Sequence, residues 1–166
     1  MAAYAVTQIV NDDTPTGIVS DALTGVDLND ISDEDLEARV AADPGAVELR
    51  LALARRYVNA GEFQLALPHY LTVLQDGENA EALAYLGWMD HLSGAPEDGE
   101  ALVQRGLAVD EDNPLALAIL AVIRLDGLND PAGARDALDR LSANPNLPDE
   151  LRVSVEEMRA RTESGS

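Results

Sequence analysis

One spacing of small residues recurs along this chain and limits the folds that are open to it. The first copy places three small residues seven and five positions apart, and the second copy repeats that spacing 33 residues later. A third copy begins a further 34 residues along and is less regular. The copies comprise Ala54, Gly61 and Ala66, then Gly87, Gly94 and Gly99, then Ala121 with Ala134. A period near 34 residues is typical of stacked helical repeats.

The physical reason for such a period is that one helical hairpin cannot bury both of its apolar faces alone. Small residues at positions 54, 87 and 121 allow paired helices to approach closely, and Gly61 and Gly94 suit the turns between them. Each of these small helical residues follows a leucine that we expect in the core. The residues expected in the core or filling the first hairpin are Leu53, Leu86, Leu120, Tyr57, Phe63 and Tyr70.

Composition supports a fold that is entirely helical. Apolar residues make up 46% of the chain and aromatic residues only 4%, and the apolar share is mostly alanine and leucine, which favour helices. Ser32 followed by three acids predicts a helix start, and Asp43-Pro44-Gly45 predicts its end. The predicted helices are 33–42, 47–60, 62–76, 80–93, 96–109, 114–126, 131–143 and 148–161. Pro68 is expected early in its helix, where a lost hydrogen bond costs less.

Three regions are predicted along the chain. Residues 1–31 are expected to be an acidic and mostly disordered leader, in which Tyr4–Val10 is a short apolar run that could act as an intramolecular ligand. Residues 32–162 form the repeat domain, and 163–166 form a tail that, together with Thr162, should fray. The repeats are placed at about 47–79, 80–113 and 114–146, followed by a polar-faced capping helix at 148–161.

Charge narrows the class of partner. The formal net charge is −20, and all eleven basic residues are arginine. Nucleic acids and anionic membranes are disfavoured, because binding to them requires clustered bases. A protein or peptide with basic flanks would be attracted instead. No apolar run approaches the length of a membrane span, so direct membrane insertion is not expected.

Catalytic and metal-binding chemistry is not expected. The chain has no cysteine, and neither His69 nor His91 has other ligands at a spacing typical of a metal site. No phosphate-binding loop and no nucleophile–base motif stands out. The sequence therefore predicts a protein that is not an enzyme and needs no cofactor.

The repeated residues resemble the tetratricopeptide repeat family. The resemblance covers about residues 46–145, and the third copy drifts from the pattern. It is carried by Leu53-Ala54, Tyr57, Gly61, Ala66 and Tyr70, by Leu86-Gly87, Gly94, Gly99 and Gly106, and by Leu120-Ala121. It implies a right-handed superhelix of three helical hairpins with an N-terminal helix and a C-terminal capping helix, whose concave groove binds a peptide or partner helix.

The resemblance also implies which side chains line that groove. Trp88, the only tryptophan, is expected there as an exposed binding residue, with burial beneath the leader or the capping helix as the alternative. The groove residues so predicted are Arg55, Asn59, Trp88, His91, Leu92, Val122, Leu125 and Asp126. The basic clamp that some members use for C-terminal carboxylates is not matched, since Leu51, Tyr85 and Leu115 stand at relevant positions.

Two alternatives to a simple adaptor remain open. A self-assembling scaffold would follow if the drifting third repeat left an apolar end, so a homo-oligomer is possible. The run Glu81–Trp88 and the helix that opens at Pro148 also resemble the soluble domain of bacterial cytochrome c maturation subunits and of membrane-anchored actinobacterial repeat proteins. That resemblance implies an extracytoplasmic fragment that holds an apoprotein. The compartment is therefore left open: the sequence as written, with neither a signal peptide nor a membrane span, is expected to be cytoplasmic, and a fragment of an anchored protein would be extracytoplasmic.

Overall fold

The computed structural model describes residues 31–145, 147 and 149–164, and within the last helix the side chains of 151–163. The predicted leader, apart from Ile31, lies outside the described residues. Eight helices and no strands are found in the described part of the chain. The predicted all-α class is confirmed.

The eight helices lie close to their predicted positions. Six of them begin at the residue that the sequence predicts, and the largest differences are at the ends of α3, α6 and α8. The helices are α1 (Asp33–Ala42), α2 (Val47–Asn59), α3 (Phe63–Val73), α4 (Ala80–Leu92), α5 (Pro96–Val109), α6 (Pro114–Val122), α7 (Pro131–Ser142) and α8 (Asp149–Ser164). A π-helical turn, Ile123–Gly127, continues α6.

Side-chain caps explain why several helices begin where they do. The hydroxyl of Ser32 accepts a hydrogen bond from the Asp35 N–H at 3.1 Å, which confirms the predicted start of α1. Asn79 and Asn113 cap α4 and α6 in the same way, and Asp130 caps α7. Each cap satisfies one of the N–H groups that a helix leaves without an internal partner.

The helices pack in chain order, and apolar faces of α2 to α8 form the main core. Each helix contacts the next, and α4 also contacts α6. The three leucines that precede the small residues are buried, at 1%, 7% and 3% exposure for Leu53, Leu86 and Leu120, as predicted. Tyr70 is fully buried, whereas Tyr57 and Phe63 are only partly buried. A smaller cluster joins Ile31 to α1 and α2.

All three hairpin turns use a residue with a positive φ at the same place. Gly61 and Gly94 have φ values of 77° and 89°, and Asn129 takes the equivalent position with φ 52°. The third copy has one more residue between its core leucine and this turn residue. The π-helical turn accommodates that residue, since the Leu128 N–H donates to the Ile123 carbonyl at 2.9 Å.

Two local predictions are wrong. Pro68 is the sixth of the eleven residues of α3 and therefore lies mid-helix. Its lost hydrogen bond would have been accepted by the carbonyl of Gln64, an exposed residue, where water can serve as the donor. Thr162 does not fray. It is only 1% exposed, and its hydroxyl accepts from Arg135 and donates to the Arg159 carbonyl, so α8 continues to Ser164.

Candidate protein-binding surface

The structure divides the predicted groove residues into buried and accessible ones. Trp88 is 6% exposed and Val122 is 2% exposed, and both belong to the main core cluster. The expectation that Trp88 offers an exposed indole is therefore wrong. The six accessible members comprise Asn59, Leu92 and Asp126, which are exposed, and Arg55, His91 and Leu125, which are partly buried.

His91 lies between the buried tryptophan and the π-helical turn. Its ring is 5.4 Å from that of Trp88, with an interplanar angle of 31°. A Cβ atom on Gly127 would stand 2.9 Å from His91 Nδ1, so the turn packs directly against the imidazole. Burial lowers the pKa of His91 below its ordinary value, and Asp126 opposes this shift. His91 Nδ1 is buried and has no hydrogen-bond partner among the described residues.

Asp126 connects this part of the molecule to the last helix. The Arg161 guanidinium of α8 donates to the Asp126 carboxylate and forms an ion pair with it. Asp126 also belongs to the π-helical turn, and π-helical turns are frequent at functional sites. The π-helical turn thus carries a carboxylate that pairs with α8 and raises the pKa of His91 against the effect of burial.

Leu92 is the most accessible large apolar side chain in this region. It is the last residue of α4 and is 48% exposed. It follows His91 directly, and His91 packs against Gly127. The end of α4 and the π-helical turn therefore lie side by side, and we call their accessible residues, His91, Leu92, Leu125 and Asp126, the α4–π surface.

Arg55 lies in a separate cluster between α2 and α4. Its guanidinium donates twice to the Glu81 carboxylate, at 2.9 and 3.1 Å. Burial lowers the pKa of Arg55, but Glu81 with Tyr85 and Tyr70 raises it by more, so the net pKa is raised. The rings of Tyr70 and Tyr85 stack at 5.1 Å beside this pair. Burial is the main cause of the raised pKa of both phenols. The arrangement favours a structural ion pair over an acid–base site.

Sequence reasoning missed a second accessible apolar surface, on α3. Leu65, Leu67 and Leu71 are 50%, 40% and 49% exposed, and Pro68 between them is also exposed. The helix contains no Asp, Glu, Lys or Arg. We call these four residues the α3 ridge. The missing charges were visible in the sequence and could have identified it.

No group of three or more His, Cys, Asp or Glu side chains is placed to hold a metal ion within the described part of the chain. Among these same residues, every helix is too short or too polar to cross a bilayer. Comparisons with protein families, with curated proteins and with solved structures found no match to this chain.

Proposed function

We propose that this protein is a non-catalytic adaptor that binds a peptide or a helix of a partner protein. In this proposal the hairpins α2–α3, α4–α5 and α6–α7 stack as tetratricopeptide-type repeats in a right-handed superhelix. The helix α1 precedes them and α8 caps them. The equivalent turns at Gly61, Gly94 and Asn129 support three copies of one hairpin.

The observation that carries the proposal is the exposure of Leu92 on the α4–π surface. Its side chain is 48% accessible, although it adjoins the buried core at Trp88 and His91. An exposed apolar side chain beside buried aromatic residues is a suitable anchor for a partner. The packed aromatic residues hold it in place, and a partner that covers it removes its apolar surface from water. In this proposal the partner contacts the apolar side chains of Leu92 and Leu125. It also contacts two polar side chains, Asn59 at the end of α2 and Asp126 in the π-helical turn.

Charge favours a partner whose binding segment is flanked by basic residues. The chain carries 31 acids against eleven arginines, and many of these arginines already pair internally, such as Arg55 with Glu81 and Arg161 with Asp126. The excess negative charge would speed the approach of a basic segment.

Site-specific photo-crosslinking tests the proposal. A photoreactive amino acid at position 92 is compared with the same residue at position 109, because Leu92 and Val109 are equally exposed at 48%. We expect one or a few proteins from the source cells to crosslink at position 92 and not at 109. Identical patterns at both positions, or no crosslink at 92, would contradict the proposed surface.

A further inference from the structure

The α3 ridge forms a continuous strip on the outward side of its helix. Leu67 and Leu71 are one helical turn apart, and Pro68 is three residues from both Leu65 and Leu71, so these positions are neighbours along the helix surface. The opposite side, with Ala66, Tyr70 and Val73, is buried against the core. An amphipathic helix normally carries polar residues on its solvent side. The α3 ridge departs from this rule.

The second helices of the other two hairpins provide an internal comparison. Aligned on the buried small residue of each helix, Leu67 corresponds to Glu100 in α5 and to Arg135 in α7. Leu71 corresponds in the same way to Gln104 and Asp139. The same position in the same type of hairpin is therefore polar in two copies and leucine in the first. Packing within the hairpin does not require these leucines, since all of them are at least 40% exposed.

Charge around the ridge indicates what would cover it. Exposed acids, Glu62 before α3 and Asp76 with Glu78 after it, stand at both ends of the helix. Arg50 reaches the helix at His69, 3.4 Å away, but it is already engaged with the Pro44 carbonyl. An apolar segment with basic residues at its two ends would match this arrangement.

Two other possible occupants of the α3 ridge, a second copy of the chain and the N-terminal segment, are acidic and would be repelled by the acids at the ends of α3. A second copy of the chain would bring a further formal charge of −20 and the same acids at the ends of its own α3. The N-terminal segment 1–30 has five acids and no lysine or arginine. Like charges facing each other oppose both contacts.

We propose that the α3 ridge is a docking face for an amphipathic helix from a different protein. That helix would carry apolar residues one turn apart and Lys or Arg at both ends. This surface is distinct from the α4–π surface, so the chain would bind at two places. Helix-on-helix docking of this kind uses apolar anchors at three- and four-residue spacing.

The test uses two synthetic peptides of about 18 residues, long enough to form a helix. Both have the same leucine and alanine centre, and one is flanked by lysine while the other is flanked by glutamate. Binding is measured by fluorescence anisotropy at about 0.15 M salt, where distant charges are screened. The test variant is Leu65→Asp with Leu67→Glu and Leu71→Gln, which introduces the residues of the second repeat.

A matched control separates docking from plain charge attraction. The variant Val109→Asp with Val153→Glu changes two other exposed residues and adds the same two negative charges. We expect wild type and control to bind the lysine-flanked peptide, and the ridge variant to lose about tenfold or more in affinity. If charge attraction alone caused binding, the ridge variant would bind the lysine-flanked peptide more tightly than the wild type, because it carries two additional negative charges. Circular dichroism must show that all variants fold.

Several results would overturn the proposal. These are undiminished binding by the ridge variant, equal binding of the glutamate-flanked peptide, or no binding of either peptide to the wild type. A wild-type dimer that becomes monomeric in the ridge variant would assign the face to a second copy. If the substitution Val6→Asp shifted the NMR methyl resonances of Leu67 and Leu71, the N-terminal segment would be the occupant of the α3 ridge. This test measures a defined peptide against variants of the α3 ridge and changes no residue of the α4–π surface, so its failure can be distinguished from failure of the proposed function.

Discussion

The backbone carbonyl oxygen of Gly99 lies 2.5 Å from the point that a Cβ atom on Gly87 would occupy. The relationship is reciprocal, because a Cβ on Gly99 would stand 2.5 Å from the Gly87 carbonyl oxygen. The helices α4 and α5 thus meet backbone to backbone at the centre of the second hairpin. Neither side can accept a methyl group without moving.

Gly87→Ala is therefore expected to destabilise the fold by about 1–3 kcal/mol, the usual cost of overpacking a core. The added methyl would also meet the Val103 side chain, at 2.6 Å. Urea unfolding followed by circular dichroism measures the change. Gly45→Ala is the control, since its nearest neighbour would be 3.6 Å away, and it should change the stability little. Equal effects of the two substitutions would refute the close approach.

The left-handed turn residue of the third hairpin gives a second prediction. Asn129 has φ 52°, a conformation that asparagine tolerates and β-branched residues do not. Asn129→Val should lower the free energy of unfolding by roughly 1–2 kcal/mol. Asn129→Gly should change the free energy of unfolding much less. Thermal unfolding of both variants and the wild type measures the difference. Two variants of equal stability would show that this turn does not take the conformation described.

Stability should fall as the pH falls through the range in which the histidines titrate. The pKa of His91 is lowered, mainly by burial, and so is that of His69. Between the folded and unfolded pKa values the unfolded chain binds more protons, so stability is complete above about pH 6.5 and decreases below it. Denaturant unfolding from about pH 7.5 to about pH 5.5 measures this slope.

The variant His91→Gln separates the contribution of that histidine from that of His69. It should reduce the slope of stability against pH without abolishing it. An NMR titration should also give His91 a pKa below 6.5, its ordinary value. A pKa at or above that value would contradict the buried position of the ring against Trp88.

The ion pair between Arg55 and Glu81 should contribute only modestly. Their side chains are 25% and 18% exposed, so solvent screens the pair in part. A double-mutant cycle with Arg55→Met and Glu81→Gln should give a coupling of about 0.5–1 kcal/mol. A coupling near zero would show that the two side chains act independently in solution.

Repetition made the fold readable from the sequence. The leucines and small residues recur at a fixed offset, so each copy supports the interpretation of the others. Gly61 and Gly94 marked their turns because glycine readily adopts positive φ. The third turn, between the predicted helices 114–126 and 131–143, was also located. The positive φ of Asn129 and the π-helical turn before it were not predicted, because one extra residue can be accommodated in a loop or within a helix.

The candidate surface was less predictable than the fold. The position of a residue within a repeat indicates the direction in which its side chain leaves the helix. It does not determine whether the far end of a large side chain is buried or exposed. Trp88 illustrates this, because its indole packs into the core beside His91 instead of facing solvent. Leu92 was predicted as a groove residue from the resemblance to the repeat family, and the structure places it at the end of α4 with 48% exposure.

The most direct test of the α4–π surface as a binding site is the affinity of the crosslinked partner for Leu92→Asp and for Val109→Asp. Both substitutions place an aspartate at an apolar residue that is 48% exposed, one on the α4–π surface and one at the end of α5. We expect Leu92→Asp to weaken binding by about tenfold or more and Val109→Asp to leave it nearly unchanged. Equal affinity of the two variants would contradict the assignment of the α4–π surface as the binding site.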